Sequence, residues 1–250
     1  MVRTFKLLDS DIMNDINIHS PDLDGENLTV FMGFPGSGLV GSITLSHIVD
    51  VLEFTHIGNI TSKFFPPMAM MVNGVINAPV RIYRKDSYVI VVSDVPIHPM
   101  ICYEISNSLL DWIEPFSIKE VVIIAGIVTN EVEKRVFGVA GDSQSLERIK
   151  DLAVILPMGS ITGIAGSLLV ECKVNGISSF GLLGETVNNP DPRAAASVIK
   201  ILNQIYGFDL DVEPLMDQAT EIEAALQQMA EQVEQAEQTP VKKEQLPMYG

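Results

Sequence analysis

Three glycines, Gly36, Gly38 and Gly41, stand at the spacing G-x-G-x-x-G, just after the apolar run Leu28 to Gly33 and at the head of a helical pattern. In a dinucleotide-binding fold, glycines at these places let the backbone approach a pyrophosphate held at a helix N-terminus. The same glycines also suit a tight strand-to-helix turn in which close packing excludes side chains. The following strand region, GNITSKFF, offers Lys63 where an acid would hold a ribose, and no Gly-Lys-Ser/Thr closes the loop in the Walker form. A ligand loop of Gly36, Gly38 and Gly41, with Asp94 beside it, defines the alternative reading: a nucleotide- or phosphate-binding enzyme or sensor.

Asp94, with His98 four residues on, follows the run Tyr88 to Ser93, at the strand edge where α/β folds place ligands. A carboxylate and an imidazole there suit acid–base work, although an aspartate closing a strand also serves as a turn or cap residue. Gly126 to Glu131 and Gly184-Glu185-Thr186 are similar loop clusters. Gly159-Ser160-Ile161-Thr162-Gly163 opens a helix and suits either an anion cradle or simple capping. These parts converge on no reaction. The chain has no Ser/His/Asp order, no H-E-x-x-H and no cysteine-rich set, and His19, His47 and His56 are scattered without metal-ligand spacing. The expectation is a non-enzyme with no catalytic residue, no metal and no cofactor.

The chain ends on Met248-Tyr249-Gly250, after Gln245-Leu246-Pro247. Apolar and aromatic groups on a polar tether bury nothing locally, so they suit a pocket on another protein, with the terminal carboxylate as a directional handle. A frayed end of accidental composition is the plainer reading.

Apolar residues at Val212, Leu215, Ala219, Ile222, Leu226, Met229, Val233 and Ala236 alternate at three and four residues, the a/d seam of about three heptads. Pro214 limits where that helix starts, and Pro240 limits where it ends. The seam fits a helix docked on the body or a self-associating coiled coil. From Asp209 onward there are ten acids against two lysines, a net −8 out of a total of −16. Such acidity excludes nucleic acid and anionic membranes as partners, because both are bound through clustered Lys and Arg. No apolar run is long enough to cross a membrane. Acids occupy the place of a signal peptide's apolar stretch, and Cys102 and Cys172 are solitary, so a cytoplasmic setting with reduced thiols is expected.

The body alternates strand and helix patterns, which predicts an α/β domain with a largely parallel sheet, helices on both faces and a hairpin insertion after the second strand. Strands are expected at Leu28–Gly33, 57–61, 68–72, Val80–Tyr83, Tyr88–Ser93, 120–125, Val136–Ala140, 153–156 and 177–183. Helices are expected at 38–52, 99–112, 143–151, 164–172 and 191–206. The first of these is expected to bury Val40, Ile43, His47 and Val51. The domains are then 1–208 for the body, 209–238 for an acidic heptad helix and 239–250 for a flexible tail carrying the tip.

With these residues in view, the chain resembles the proteasome assembly chaperone 2 family, particularly its archaeal type. The resemblance spans nearly the whole body. It rests on GFPGSGLVG at Gly33 to Gly41, Ser93-Asp94, Ala125-Gly126, GSITGIAG at Gly159 to Gly166, and most specifically GLLGETVNNPDPRAAASVIKIL at Gly181 to Leu202. It implies a three-layer α/β sandwich similar to nucleoside phosphorylases, without an established catalytic site, and a homo-oligomer. It also implies a C-terminal hydrophobic-Tyr-any motif, here Met248, Tyr249 and Gly250, that docks between α-subunits in the α-ring of the proteasome core particle. Two departures stand out: Asp94 where the family often has glutamate, and Ala125-Gly126 where it often has two glycines.

Overall fold

Every residue of Leu28–Gly33 and of Ser179–Thr186 is buried, as expected of strands covered on both faces. The computed structural model describes residues 15–72, 74–129, 134–187, 189–222 and 224. Its strands are β1 (Ile16–His19), β2 (Leu28–Gly33), β3 (Thr55–Ser62), β4 (Met70–Val72), β5 (Val75–Asn77), β6 (Val80–Lys85), β7 (Tyr88–Ser93), β8 (Ile118–Val128), β9 (Val136–Ala140), β10 (Val154–Ile155) and β11 (Ser179–Thr186). Its principal helices are α1 (Val40–Val51), α2 (Cys102–Ile113), α3 (Ser143–Ile149), α4 (Gly163–Val174) and α5 (Pro192–Tyr206).

Nine strands form one sheet in the order β1-β3-β6-β7-β2-β8-β11-β9-β10. Its centre, β7-β2-β8-β11, is parallel. The flank β1-β3-β6-β7 is antiparallel, and β9 runs antiparallel to β11. The expected parallel character therefore belongs to the middle of a mixed sheet. The expected hairpin, Val80–Tyr83 with Tyr88–Ser93, is β6–β7 and belongs to the main sheet. A second, unexpected hairpin of β4 and β5 leaves the chain between β3 and β6 as a separate two-stranded sheet.

Alternation along β2 sends Leu28, Val30 and Met32 to one core and Phe31 to the other. The first core is closed by α2 and α4, through Ile105, Leu109, Leu168 and Cys172. The second is closed by α1, α3 and α5, through Leu45, Ile48, Ile149, Val198 and Leu202. The result is the three-layer sandwich.

Helix α1 buries Val40, Thr44, Leu45, Ile48 and Val49. Of the expected stripe Val40, Ile43, His47 and Val51, Val40 is buried and Ile43 partly buried against the second core. Val51 is 48% exposed. The helix packs on both the sheet and α5, so its buried arc is turned about one position from the simple period. Helix α5 begins and ends where expected: the Asp191 carboxylate accepts from the Ala194 N–H at 3.0 Å, and Gly207 ends the helix with φ of 70°.

Packing continues past residue 208. Phe208 joins an aromatic cluster with Phe31, Tyr88 and Tyr206, and Leu210 and Leu215 enter the second core. His47 Nε2 lies 2.8 Å from the Asp211 carbonyl, and Arg193 Nη2 donates to Thr220 Oγ1 at 3.3 Å. Residues 213–222 are helical, with Leu215 and Ala219 buried. The first part of the heptad seam thus docks on the body. Leu226, Met229, Val233 and Ala236 lie outside the described residues, as do Met248, Tyr249 and Gly250.

Candidate functional site

A cavity of about 740 Å³ opens at the C-terminal ends of β2, β8 and β11, the edge where α/β sheets bind ligands. Phe34, Pro35, Gly36 and Ser37 form one wall, Ala125 to Val128 the floor, and Met158 to Ala165 the opposite wall. The loop after β2 and the start of α4 therefore face each other across it. Its polar atoms come from Ser37, Ser160, Thr162 and main-chain groups, with no acid, base or histidine among the lining residues. Such a lining can hold a small ligand. Among the described lining residues no carboxylate or imidazole stands beside the Ser37, Ser160 and Thr162 hydroxyls to activate them.

The three glycines have different surroundings. A Cβ on Gly36 would meet nothing within 4 Å, and this residue lines the cavity. Gly38 has φ of 65°, and a Cβ there would sit 2.4 Å from Thr186 Oγ1. A Cβ on Gly41 would sit 2.5 Å from the Ile124 carbonyl oxygen. Two of the three glycines thus let the loop lie on β8 and β11 and are not cavity-lining residues. Leu39 follows with φ of 51°, a left-handed conformation that costs energy for a branched side chain. The Asp191 N–H donates to the Gly38 carbonyl at 2.9 Å, so the glycine loop and the Gly181-to-Leu202 block interlock.

Asp94 is not among the residues that line the cavity. Arg81 donates to both carboxylate oxygens of Asp94, Nη2 to Oδ1 at 3.1 Å and Nη1 to Oδ2. The same guanidinium donates to Tyr83 Oη and the Ala78 carbonyl. Burial lowers the pKa of Arg81 and its hydrogen bond to Asp94 raises it, with the net shift upward. Asp94 thus closes the β6–β7 hairpin. His98 Nδ1 accepts from the Met100 N–H at 3.2 Å and caps the turn before α2.

The charged residue most firmly built into this edge is Glu185, fully buried at the end of β11. Arg135 donates to it through Nε at 2.9 Å and Nη2 at 2.8 Å, the Arg135 N–H donates at 3.1 Å, and Thr129 Oγ1 also donates. The Arg135 hydrogen bond holds the Glu185 carboxyl down at about 2 despite burial, which opposes it. Glu185 therefore fastens both ends of the connection between β8 and β9. A second buried carboxylate, Glu120, accepts from Arg148 and from Tyr206 Oη at 3.1 Å. Burial, seconded by Glu120, raises the Tyr206 pKa. From sequence, Glu185 is only part of a loop cluster and Glu120 only the start of a strand. An acid inside an otherwise apolar strand run is the signal that finds both.

Among the described residues, no group of three or more His, Cys, Asp or Glu side chains could hold a metal, and no helix is long and apolar enough to cross a membrane.

The family model described as PAC2 family matches residues 30–230. Pyrococcus furiosus PbaA, an archaeal homolog of proteasome-assembly chaperone, superposes with a TM-score of 0.81 at 35% identity, over 89% of this chain and 94% of that one. Pyrococcus furiosus PbaB, an archaeal proteasome activator, shares the fold with a TM-score of 0.77 at 24% identity, over 86% of this chain and 99% of that one. An uncharacterized protein of Methanocaldococcus jannaschii is 32% identical over 216 residues, 86% of this chain and 90% of its own length. With the match running from within β2 through α5 and beyond, and including the interlocked glycine loop and Glu185 block, this chain belongs to the PAC2 family.

Proposed function

We propose that this protein is a non-enzymatic proteasome-binding protein, an assembly chaperone or adaptor, that docks Met248-Tyr249-Gly250 between α-subunits of the core particle. The observation that carries this reading is 35% identity to PbaA over 89% of the chain, in a sequence that ends on hydrophobic-Tyr-any. The α/β body self-associates, and residues 209–238 and the 239–250 tether present the tip. Three residues bury little surface, so one tip binds weakly. Several tips on one oligomer gain affinity only when tether reach matches pocket spacing. Residues past the docked Ala219 supply about 1.5 Å each where helical and roughly 3 Å each in the tether, tens of ångströms in all.

Core particle capture by the full-length protein is the test, compared with a chain lacking Gly250 and with Tyr249→Ala. Loss of capture in both supports the docking role. Undiminished affinity in both sinks it.

The cavity beside Gly36 favours a second reading, in which the body binds a nucleotide or other phosphorylated ligand. A saturating native-state ligand raises the melting temperature. No shift across a nucleotide panel removes that reading.

A further inference from the structure

Among the described residues, strands β4 and β5 pair only with each other, at Met70↔Asn77, Met71↔Ile76 and Val72↔Val75. An isolated two-stranded hairpin is marginal in water, and several apolar side chains on this one and just before it face outward. Met71 is 73% exposed, Ile76 69%, Val75 64% and Met68 50%. The 17 residues from Phe64 to Val80 include no charged side chain, in a chain whose net charge is −16. Two such acidic bodies repel except where charge is missing, so this arm is a place where two copies can touch without that penalty.

The other flank of the same molecule has a matching vacancy. Helices α2 and α4 cover the first core, and α4 lies over β8 and β11. Beyond α4 the sheet continues to β9 on that face, leaving an apolar groove of about 500 Å³. Its walls are Val139 on β9, Ile161, and Leu169, Val170 and Val174 on α4, with Lys173 as the single charged lining residue. Val174 is 73% exposed and Val170 57%. A sheet face that runs past its last helix leaves apolar surface to be covered.

We propose that the β4–β5 hairpin of one copy seats in the α4–β9 groove of a second copy. The arm leaves the sheet beside β6 and the groove lies at β9, five strand positions away, about 24 Å at the usual spacing of strands. Arm and groove therefore lie on opposite flanks, so the contact joins unlike surfaces head to tail and propagates from copy to copy. The arm exposes on the order of 500 Å² of apolar surface. With the groove walls added, one contact approaches the roughly 1,000 Å² of the smallest specific interfaces. This inference rests only on the self-association part of the proposed function and leaves the tip out of account.

The experiment measures solution mass by light scattering for wild type, Ile76→Asp and Val174→Asp, with melting curves to confirm folding. Wild type is expected at a multiple of 27.3 kDa, and each variant at the mass of one chain. Single-cysteine additions then fix the geometry. Mixed Ile76→Cys and Val174→Cys proteins are expected to form a disulfide with each other under oxidation, while neither pairs with itself. A monomeric wild type, unchanged mass in both aspartate variants, or self-pairing of Ile76→Cys in place of the mixed disulfide each overturns the inference. A chain lacking residues 248–250 separates the two readings. If it keeps the wild-type mass and still captures core particle, the docking role of the tip fails while the interface stands.

Discussion

The Arg135 guanidinium grips Glu185 with two hydrogen bonds, Nε at 2.9 Å and Nη2 at 2.8 Å, and so joins the start of β9 to the end of β11. Glu185 is fully buried, and Arg135 reaches solvent at its far side. The pair sets a pH dependence whose sign is fixed. The folded carboxyl sits at about 2 against an ordinary 4.5, so its contribution is complete above the unfolded value and is lost as pH falls through the folded one. That contribution is about 3 kcal/mol at neutral pH. Denaturant unfolding of Glu185→Gln should show a loss of this order at pH 7, and a weaker dependence than wild type between pH 4.5 and 2.

Gly38 and Gly36 should respond oppositely to alanine. At Gly38 the left-handed backbone and the Thr186 hydroxyl 2.4 Å from a new Cβ act together, so Gly38→Ala should cost about 2–4 kcal/mol. Gly36 is extended and open to the cavity, and Gly36→Ala should stay within about 0.5 kcal/mol. Thermal melts of the two variants check this directly. Equal losses would show that the loop is not clamped on β11 as described.

Much of the fold was legible because strand burial leaves a strong trace in sequence. LTVFMG, YVIVVS and the Pro192-to-Tyr206 helix fall where their apolar patterns and caps put them. β1 and β5 were not legible. β1 is a four-residue edge strand in an acidic, polar stretch, and β5 is three residues whose side chains stay exposed or half-exposed. The site was legible in part. Gly36 does line a cavity, but Asp94 is claimed by Arg81, which lies 13 residues earlier on the facing strand of a hairpin. That pairing depends on register, which a motif at Ser93-Asp94 does not reveal. The Arg135 and Arg148 partners of the buried acids are equally non-local, 50 and 28 residues from them in sequence.

Neither cysteine should react in the folded protein. Burial pushes the Cys172 thiol up to about 12 and raises that of Cys102, and both side chains are buried. The thiolate is the reactive form, so iodoacetamide at neutral pH should leave the native chain unlabelled and modify both sites in denaturant. Labelling of the native protein at either site would show that α2 or α4 opens locally. The same inertness makes added surface cysteines readable without background.

The segment after α5 should divide into a part that stabilises the body and a part that does not. Leu215 is 4% exposed in the second core, and Asn203 exchanges hydrogen bonds with Leu210, Nδ2 to the carbonyl at 2.9 Å and N–H to Oδ1 at 3.0 Å. Truncating a buried leucine costs about 2–5 kcal/mol through lost transfer energy and the cavity left behind. Leu215→Ala should therefore lower the melting temperature, while removal of residues 248–250 leaves it unchanged. If tip docking is the binding function, core particle capture responds the other way: the truncated chain loses it, and folded Leu215→Ala protein retains it at low temperature. A truncation that destabilises the body would mean that the tip folds back on it. The tether would then hold a closed arm, and the docking reading would need a release step.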